Sequence, residues 1–419
     1  MGRLVLNWVC VLALVALPVG GCGDETTAAG GTGGSGDTGG DGGSGGTGGD
    51  GGTGGMGGMP ECEHPDDCDD ENECTGNACG NGMCEFAPVA DDTACDESNE
   101  CTVGVCADGA CDSTPVANDT ACGDDAGTCQ QGSCRVACDE QGILDAIAAG
   151  GGPYTFDCDG PTTVVPGAPF VIDEDVQLNG EGHLTLDPGD FRIGEGAHVI
   201  LRGLTILRGG EGEGRRGGGA IENSGTLTLE ESTVSESCCW FAIVNSAVLR
   251  VQRSAIIGNP NTFGIVTVGG DTIIQNSTVT GNLGWDVWGA ATEEVLIVNS
   301  TIGEVQENDA TVTIRGSLVQ SCTSEEVASD GYNIESDGDT CGFDQPTDQV
   351  NVSANDLKLG PLADNGGPTE THALGAGSVA IDVIPEAECV DAEGASLTTD
   401  QRGFPRDSMC DVGAFEVQP

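Results

Sequence analysis

Between His198 and Val319 one pattern of apolar and polar positions keeps returning: Leu201-Arg-Gly-Leu204-Thr-Ile206, Leu229-Glu-Glu-Ser232-Thr-Val234, Val251-Gln-Arg-Ser254-Ala-Ile256, Ile274-Gln-Asn-Ser277-Thr-Val279, Ile297-Val-Asn-Ser300-Thr-Ile302 and Ile314-Arg-Gly-Ser317-Leu-Val319. Val251, Ile274 and Ile297 follow one another at steps of 23 residues, and Val251 follows Leu229 after 22. A near-constant period in this range is the mark of a solenoid. Alternation of Val, Ile and Leu with polar residues over four to six positions gives short strands, and their apolar faces are buried only when one coil stacks on the next. The pattern predicts an all-β, right-handed parallel β-helix over 136–354.

Other patterns precede it. Asp139 stands as the N-cap of a short helix carrying Ile143, Leu144 and Ile147 and stopped by Gly150-Gly-Gly-Pro153, placed to close the first coil. Cys138 and Cys158 flank this helix and are expected to pair. Upstream, over 60–135, Cys68, Cys74, Cys79 and Cys84 are followed at a 27-residue step by Cys95, Cys101, Cys106 and Cys111, then by Cys122, Cys129 and Cys134, with Cys62 in front. The segment is too polar for an apolar core, so disulfides replace one, in a pairing that spacing does not fix. Zinc is the competing reading, without CxxC pairs to support it. Asp69, Asp70 and Asn72, with the counterparts Asp96 and Asn99, offer oxygen ligands for Ca²⁺ but lack the glycine of an EF-hand loop. These repeats resemble the cysteine-rich repeats of myxobacterial exported proteins.

Residues 22–59 are a Gly, Thr, Ser and Asp tract that cannot bury apolar surface and reads as a disordered tether. Before it, Arg3 and the apolar run Leu4 to Leu17 form a signal peptide over 1–21, too short to span a bilayer. Val19-Gly20-Gly21-Cys22 resembles a bacterial lipobox, which implies lipidation of Cys22 and attachment to a membrane; Gly23, where an Asp would signal inner-membrane retention in enterobacterial lipoproteins, favours the outer membrane.

Charge and cysteine usage narrow the function. With 13 Lys+Arg against 69 Asp+Glu the formal charge is −56, which excludes nucleic acid as a partner and repels acidic polymers unless a cation bridges them. The 22 cysteines place the chain in an oxidising compartment.

Aligning the coils brings Asn223 over Asn245 and Gly258-Asn259 over Gly281-Asn282, asparagine columns that can form amide ladders and that tolerate left-handed backbone. Phe241 and Phe263 share a column with the parity of Ile243 and Ile265, and are expected inside. Trp240 and Trp285 fall in the neighbouring column, two coils apart and outward, as a stacking platform for sugar rings with Asp286 and Glu222 as hydrogen-bond partners. Cys238 and Cys239 are expected to bond to each other or to other cysteines. No catalytic residue is assigned. Arg250, Arg253 and Arg315 are the basic residues between Gly218 and Ser321, Asp271, Asp286 and Asp309 do not cluster in register, and His183, His198 and His372 sit in no recognisable motif.

The last part of the chain carries the most specific signature. Gly331-Tyr-Asn-Ile334, Leu359-Gly-Pro-Leu-Ala-Asp364-Asn-Gly-Gly-Pro368-Thr-Glu-Thr-His372-Ala-Leu374, Gly377-Ser-Val-Ala-Ile-Asp382, Thr399-Asp-Gln-Arg402-Gly and Asp411-Val-Gly-Ala-Phe-Glu416 resemble the bacterial choice-of-anchor Q surface proteins. The resemblance, over roughly 138–416, implies a β-helix displayed on a cell surface by a variable anchor and with no general enzymatic activity. No C-terminal sorting signal precedes Pro419, so Cys22 is expected to supply the anchor. Read from the residues, 355–419 is a turn-rich cap in which Arg402 and Arg406 pair with Asp400, Asp407 and Asp411, stapled by Cys389–Cys410 and, nearby, Cys322–Cys341. The reading reached is a lipid-anchored surface display or adhesion protein that binds a glycan or another surface component. A polysaccharide lyase or hydrolase on the same scaffold is the alternative, and protease inhibition by the cysteine-rich repeats a second one.

Overall fold

Alternation decides the local structure and burial decides its stacking. Successive coils place Leu201, Leu229, Val251, Ile274, Ile297 and Ile314 in register in parallel strands, and every one of these side chains is fully buried. A second inward column runs through Ile206, Val234, Ile256, Val279, Ile302 and Val319. A third joins Ile221, Ile243, Ile265, Val287 and Val305. Three strands per coil thus enclose one apolar core, and the chain is a right-handed parallel β-helix. This is a computed structural model. It describes residue 64, residue 68 and residues 72–418 except 81–82, 96–98, 125, 211–218, 239, 291–293, 309 and 324–326. The signal peptide, Cys22, the tether, Cys62, Asp69, Asp70, Asp96, Cys239 and Asp309 lie outside the described residues. Among the described residues no helix is long and apolar enough to cross a membrane.

The corners are held by polar columns. In the row preceding the strands at Thr233, Ala255, Thr278 and Thr301, the serines Ser232, Ser254, Ser277, Ser300 and Ser317 are buried without exposure. Each hydroxyl donates to the carbonyl two residues earlier and accepts from a backbone N–H one coil before, that of Leu204 for Ser232 and that of the preceding serine for the others, as Ser277 does from Ser254 at 3.2 Å and Ser300 from Ser277 at 3.2 Å. Buried donors and acceptors in this row are therefore mutually satisfied. The residue ahead of each serine has positive φ, including Glu231, Arg253, Asn276 and Asn299. Asn223 donates to Asn245 Oδ1 and Asn259 to Asn282 Oδ1, both at 2.7 Å, so the expected amide ladders form. The left-handed asparagines are others, Asn276, Asn299 and Asn351; in the ladder columns the side-chain amide, not the backbone conformation, is what a coil corner uses.

The cysteine-rich repeats solve the stacking problem covalently. In each repeat the first cysteine bonds the fourth (Cys68–Cys84, Cys95–Cys111, Cys122–Cys134), while the second reaches forward to the third of the next repeat (Cys74–Cys106, Cys101–Cys129). Asn72 Nδ2 donates to Gly109 O and Asn99 Nδ2 to Gly132 O, repeating the same inter-repeat contact. The third repeat is shorter, with 12 residues separating its outer cysteines against 16, and has no second cysteine, so the forward links stop there. Its strand Ser133–Ala137 pairs in parallel with Gly151–Asp157, the first strand of the solenoid, and Cys101, Cys122, Cys129, Cys134 and Val136 belong to the solenoid's core. Helix α1, Glu140–Ala149, lies between these two strands, capped by Asp139, whose carboxylate accepts from the Gly142 N–H at 2.8 Å.

Three further disulfides match expectation: Cys138–Cys158, Cys322–Cys341 and Cys389–Cys410. At the far end Cys341 and Phe343 close the core. The segment from Ala354 onward does not sit over that end. It runs back along one flank of the coils, with Thr369 Oγ1 donating to Arg253 O, Arg406 to Asn276 Oδ1, Asn276 Nδ2 to Thr399 O and Asn299 Nδ2 to Val390 O. A second apolar cluster joins Leu318 and Ile334 of the solenoid to Leu357, Ile384, Val412 and Phe415 of this strap.

Candidate functional site

The flank opposite in character is built by the strands Gly219–Asn223, Phe241–Asn245, Phe263–Thr267 and Val287–Gly289. Phe241 and Phe263 are in register, but they are partly exposed and lie outside the core. Ala242 and Ile243 are both buried, so burial does not alternate through this strand. Alternation counted back from Ile243 fails there, which corrects the inward expectation for both phenylalanines. Their rings stack outside at 5.9 Å between centroids.

Trp285 joins this stack rather than the column of Trp240. Ile265 pairs with Val287 after 22 residues whereas Thr272 pairs with Val295 after 23, so the extra residue of that coil lies in the turn after Gly289. An ungapped alignment misplaces Trp285 by one position; the structure sets its ring 5.1 Å from Phe263 with 18° between planes. Trp288 completes the cluster, 5.2 Å from Trp285 and 6.4 Å from each phenylalanine, and is itself only 7% exposed. Its outward position follows from alternation with the inward Val287, a signal that the sequence carries. Trp240 is 47% exposed at the margin, directly before Phe241, and Leu283, in the turn before Trp285, is 54% exposed.

Two proposed hydrogen-bond partners have different fates. Asp286 is 4% exposed. Its Oδ1 accepts from Asn282 N and Nδ2 at 3.1 and 2.7 Å, and its Oδ2 from Glu304 N at 2.8 Å. It therefore terminates the Asn259–Asn282 ladder and offers nothing to an external sugar, which corrects its assignment. Burial pushes its carboxyl up to about 6, against the opposing pull of the Glu304 and Asn282 donors. Glu304 next to it is also raised by desolvation. Glu222 does lie on the outer face, in register with Val244 and 3.8 Å from Arg192.

The calcium candidate Asn72 is engaged locally: its Oδ1 accepts from Cys74 N at 2.9 Å, as Asn99 does from Cys101 N. The cysteine sulfurs close enough to share a metal, Cys74 with Cys95 and Cys111 and Cys101 with Cys122 and Cys134, are in disulfides. The histidines do separate jobs. His198 faces Asp175 at 3.1 Å in solvent, and His372 bridges Thr280 Oγ1 and Gly360 O.

The motifs of the strap form a buried ionic knot. Arg402 bonds Asp400 at 2.6 Å and lies 4.5 and 3.6 Å from the ring centroids of Phe404 and Phe415. Arg406 pairs with Glu416 at 3.0 Å, and its guanidinium also donates to Asp411 O, Gly413 O and Asn276 Oδ1. The acidic partners are thus Asp400 and Glu416; the carboxylate of Asp411 instead accepts the N–H groups of Asp382 and Val417, and that of Asp407 the N–H of Met409. Every charged residue of the Asp-Gln-Arg-Gly and Asp-Val-Gly-Ala-Phe-Glu motifs is buried in this knot.

No protein-family model matches the chain, and no curated protein matches it. Among solved structures it is similar to pectate lyase Pel9A, at 13% identity with a TM-score of 0.41, over 66% of this chain and 91% of that one.

Proposed function

We propose that the protein is a lipid-anchored display protein of the outer membrane or cell surface, of the choice-of-anchor Q kind, which carries a β-helix on a stiff stalk and binds a glycan or another surface component without catalysis. The observation that supports it is the seam between stalk and solenoid. Ser133–Ala137 of the last cysteine repeat is a strand of the same sheet as the first coil, and forward disulfides lock each repeat to the next. A binding module on a flexible hinge samples many orientations; one fused through a sheet is held out at a fixed angle to its stalk. The disulfides belong to an exported protein. The lipobox at Cys22 supplies the anchor in this reading.

The test is fractionation of cells expressing the full chain or Cys22→Ser, with labelled palmitate and protease added to intact cells. The expected outcome is a labelled, protease-accessible membrane protein and a Cys22→Ser variant that leaves the membrane fraction in folded form. Cys22→Ser that stays membrane-bound, or a wild type shielded from protease, would overturn the display reading.

A further inference from the structure

The flank that has no strap among the described residues bears a strip of rings with a definite direction. Phe241, Phe263 and Trp285 follow one another on three consecutive coils, with centroids 5.9 and 5.1 Å apart, so the strip runs along the solenoid axis for about 10 Å from first ring to last at the usual strand spacing of about 4.8 Å. The rings cover one another's faces and leave a band about one ring wide, with Trp240 and Leu283 exposed along its margin. That is far too narrow for a stable protein interface, which takes about 800 Å² per partner. It is wide enough for one polymer chain.

Charge selects among polymers. Glu222 lies in register with Val244, just beyond Phe241, Glu236 stands in the turn before Trp240, and Glu304 bonds through its N–H to Asp286, the neighbour of Trp285. Among the described residues, Arg192 is the cation in register with the strip's outer face, and it faces Glu222. In a chain of net charge −56 this setting repels a polyanion. The carboxylates still accept hydroxyl donors, so the apolar band has a rim suited to a chain that is apolar on one face and hydroxylated at its edges.

We propose that this strip holds a single uncharged polysaccharide chain laid along the solenoid axis, on the order of one sugar per coil. The proposal rests on the display reading and adds the ligand class and the site. Trp240 gives an exposed ring face to stack on a sugar, and the Phe241–Phe263–Trp285 edge gives the track.

Affinity electrophoresis of the full chain through gels containing xyloglucan, galactomannan or mixed-linkage β-glucan, beside gels with polygalacturonate or alginate, tests it. The expected result is retardation by at least one neutral polymer and by neither uronate polymer, weakened about ten-fold by Trp240→Ala. Trp240 is solvent-exposed, so this variant keeps the fold; Phe263→Ala is the second variant, read beside its circular dichroism. Glu393→Ala, on the strapped flank, leaves retention unchanged. Retardation by the uronate polymers overturns the neutral class while leaving display intact. Retention that survives both aromatic substitutions overturns the site. No retardation in any gel overturns the ligand class, and the fractionation experiment then decides independently whether display stands.

Discussion

The two flanks of the solenoid carry the same coils and are finished in opposite ways. On one, the chain's own last 65 or so residues lie across the serine row from Arg253 to Leu318, satisfying Asn276, Asn299 and Thr278 with tail groups. On the other, apolar rings at equivalent heights are left without such a cover among the described residues, and they stack on each other. Outward Thr278, Thr301 and Leu318 are buried and meet the strap, at Gln401, at Ala414 and in the second apolar cluster respectively. A strap of this sort reserves one face for stability. What remains bare on the other face is large, aromatic and aligned, which is the reason it carries the binding proposal.

The strongest way to break this asymmetry is to strip the covered flank. Arg406 is fully buried and ties Glu416 to Asn276. Replacing it leaves buried Glu416 without its counter-ion, with only the Asp411 and Asp407 N–H groups still donating to it, and the Asn276 amide oxygen without its donor, which costs about 3–5 kcal/mol. Arg406→Met is expected to release the strap: limited proteolysis should remove 354–418 early while the β-sheet circular dichroism of the coils persists, and urea unfolding should become biphasic. A single transition with an unchanged midpoint would mean that the knot does not hold the strap.

The difference between the flanks also separates what the chain shows openly from what it hides. The core columns, the helix cap at Asp139 and the pairs Cys138–Cys158, Cys322–Cys341 and Cys389–Cys410 were legible because each depends on local period or on a short loop. The serine row was legible as a repeated position, yet its meaning as a donor–acceptor chain between coils appears only in three dimensions. Trp285 was misplaced because one inserted residue sits after it in a turn, and register in a β-helix is set by strand pairing rather than by counting. Phe241 and Phe263 were turned inward because strict alternation was counted back from Ile243, and here Ala242 and Ile243 are buried in succession. The strap's path was invisible for a different reason: Asn276 and Thr399, or Arg253 and Thr369, are more than a hundred residues apart, and no pattern in either segment names the other.

A titration sharpens the comparison on the bare side. Asp286 ends the amide ladder beneath the aromatic strip with its carboxyl raised to about 6 from 3.8. The folded state therefore holds this proton more tightly than the unfolded chain does. Its contribution is fully present below about pH 4 and is lost as pH rises through about 6, a difference of about 3 kcal/mol for a shift of this size. Asp286→Asn keeps an oxygen for Asn282 and removes the titration, so the difference in urea midpoint between variant and wild type should change between pH 4 and pH 7.5. Glu416, raised to about 7 by burial, gives a slope of the same sign under the strap. Only the difference from wild type isolates Asp286, and a difference independent of pH would assign the whole slope to the strapped flank.

The smallest effect compares the two polar rows directly. Ser277→Ala removes the acceptor of the buried Ser254 N–H, and an unpaired buried amide costs about 1–3 kcal/mol. Asn245→Ala removes an amide that accepts from Asn223 and Ala247 and donates to Ala247 O and Thr272 Oγ1. It frees more groups, but they lie under a flank that has no strap, where a coil can open toward solvent and let water replace the lost bonds. Ser277 lies beneath residues 399–406, with Asn276 and Thr278 on either side bonded to the strap, so no such relaxation is available to it. Native-state hydrogen exchange should then show Ser277→Ala lowering protection throughout the coils and the strap together, while Asn245→Ala lowers it only in the neighbouring coils. If both variants lost protection over the same residues, the strap would add no cooperativity, and the two flanks would differ in what they expose but not in how they hold.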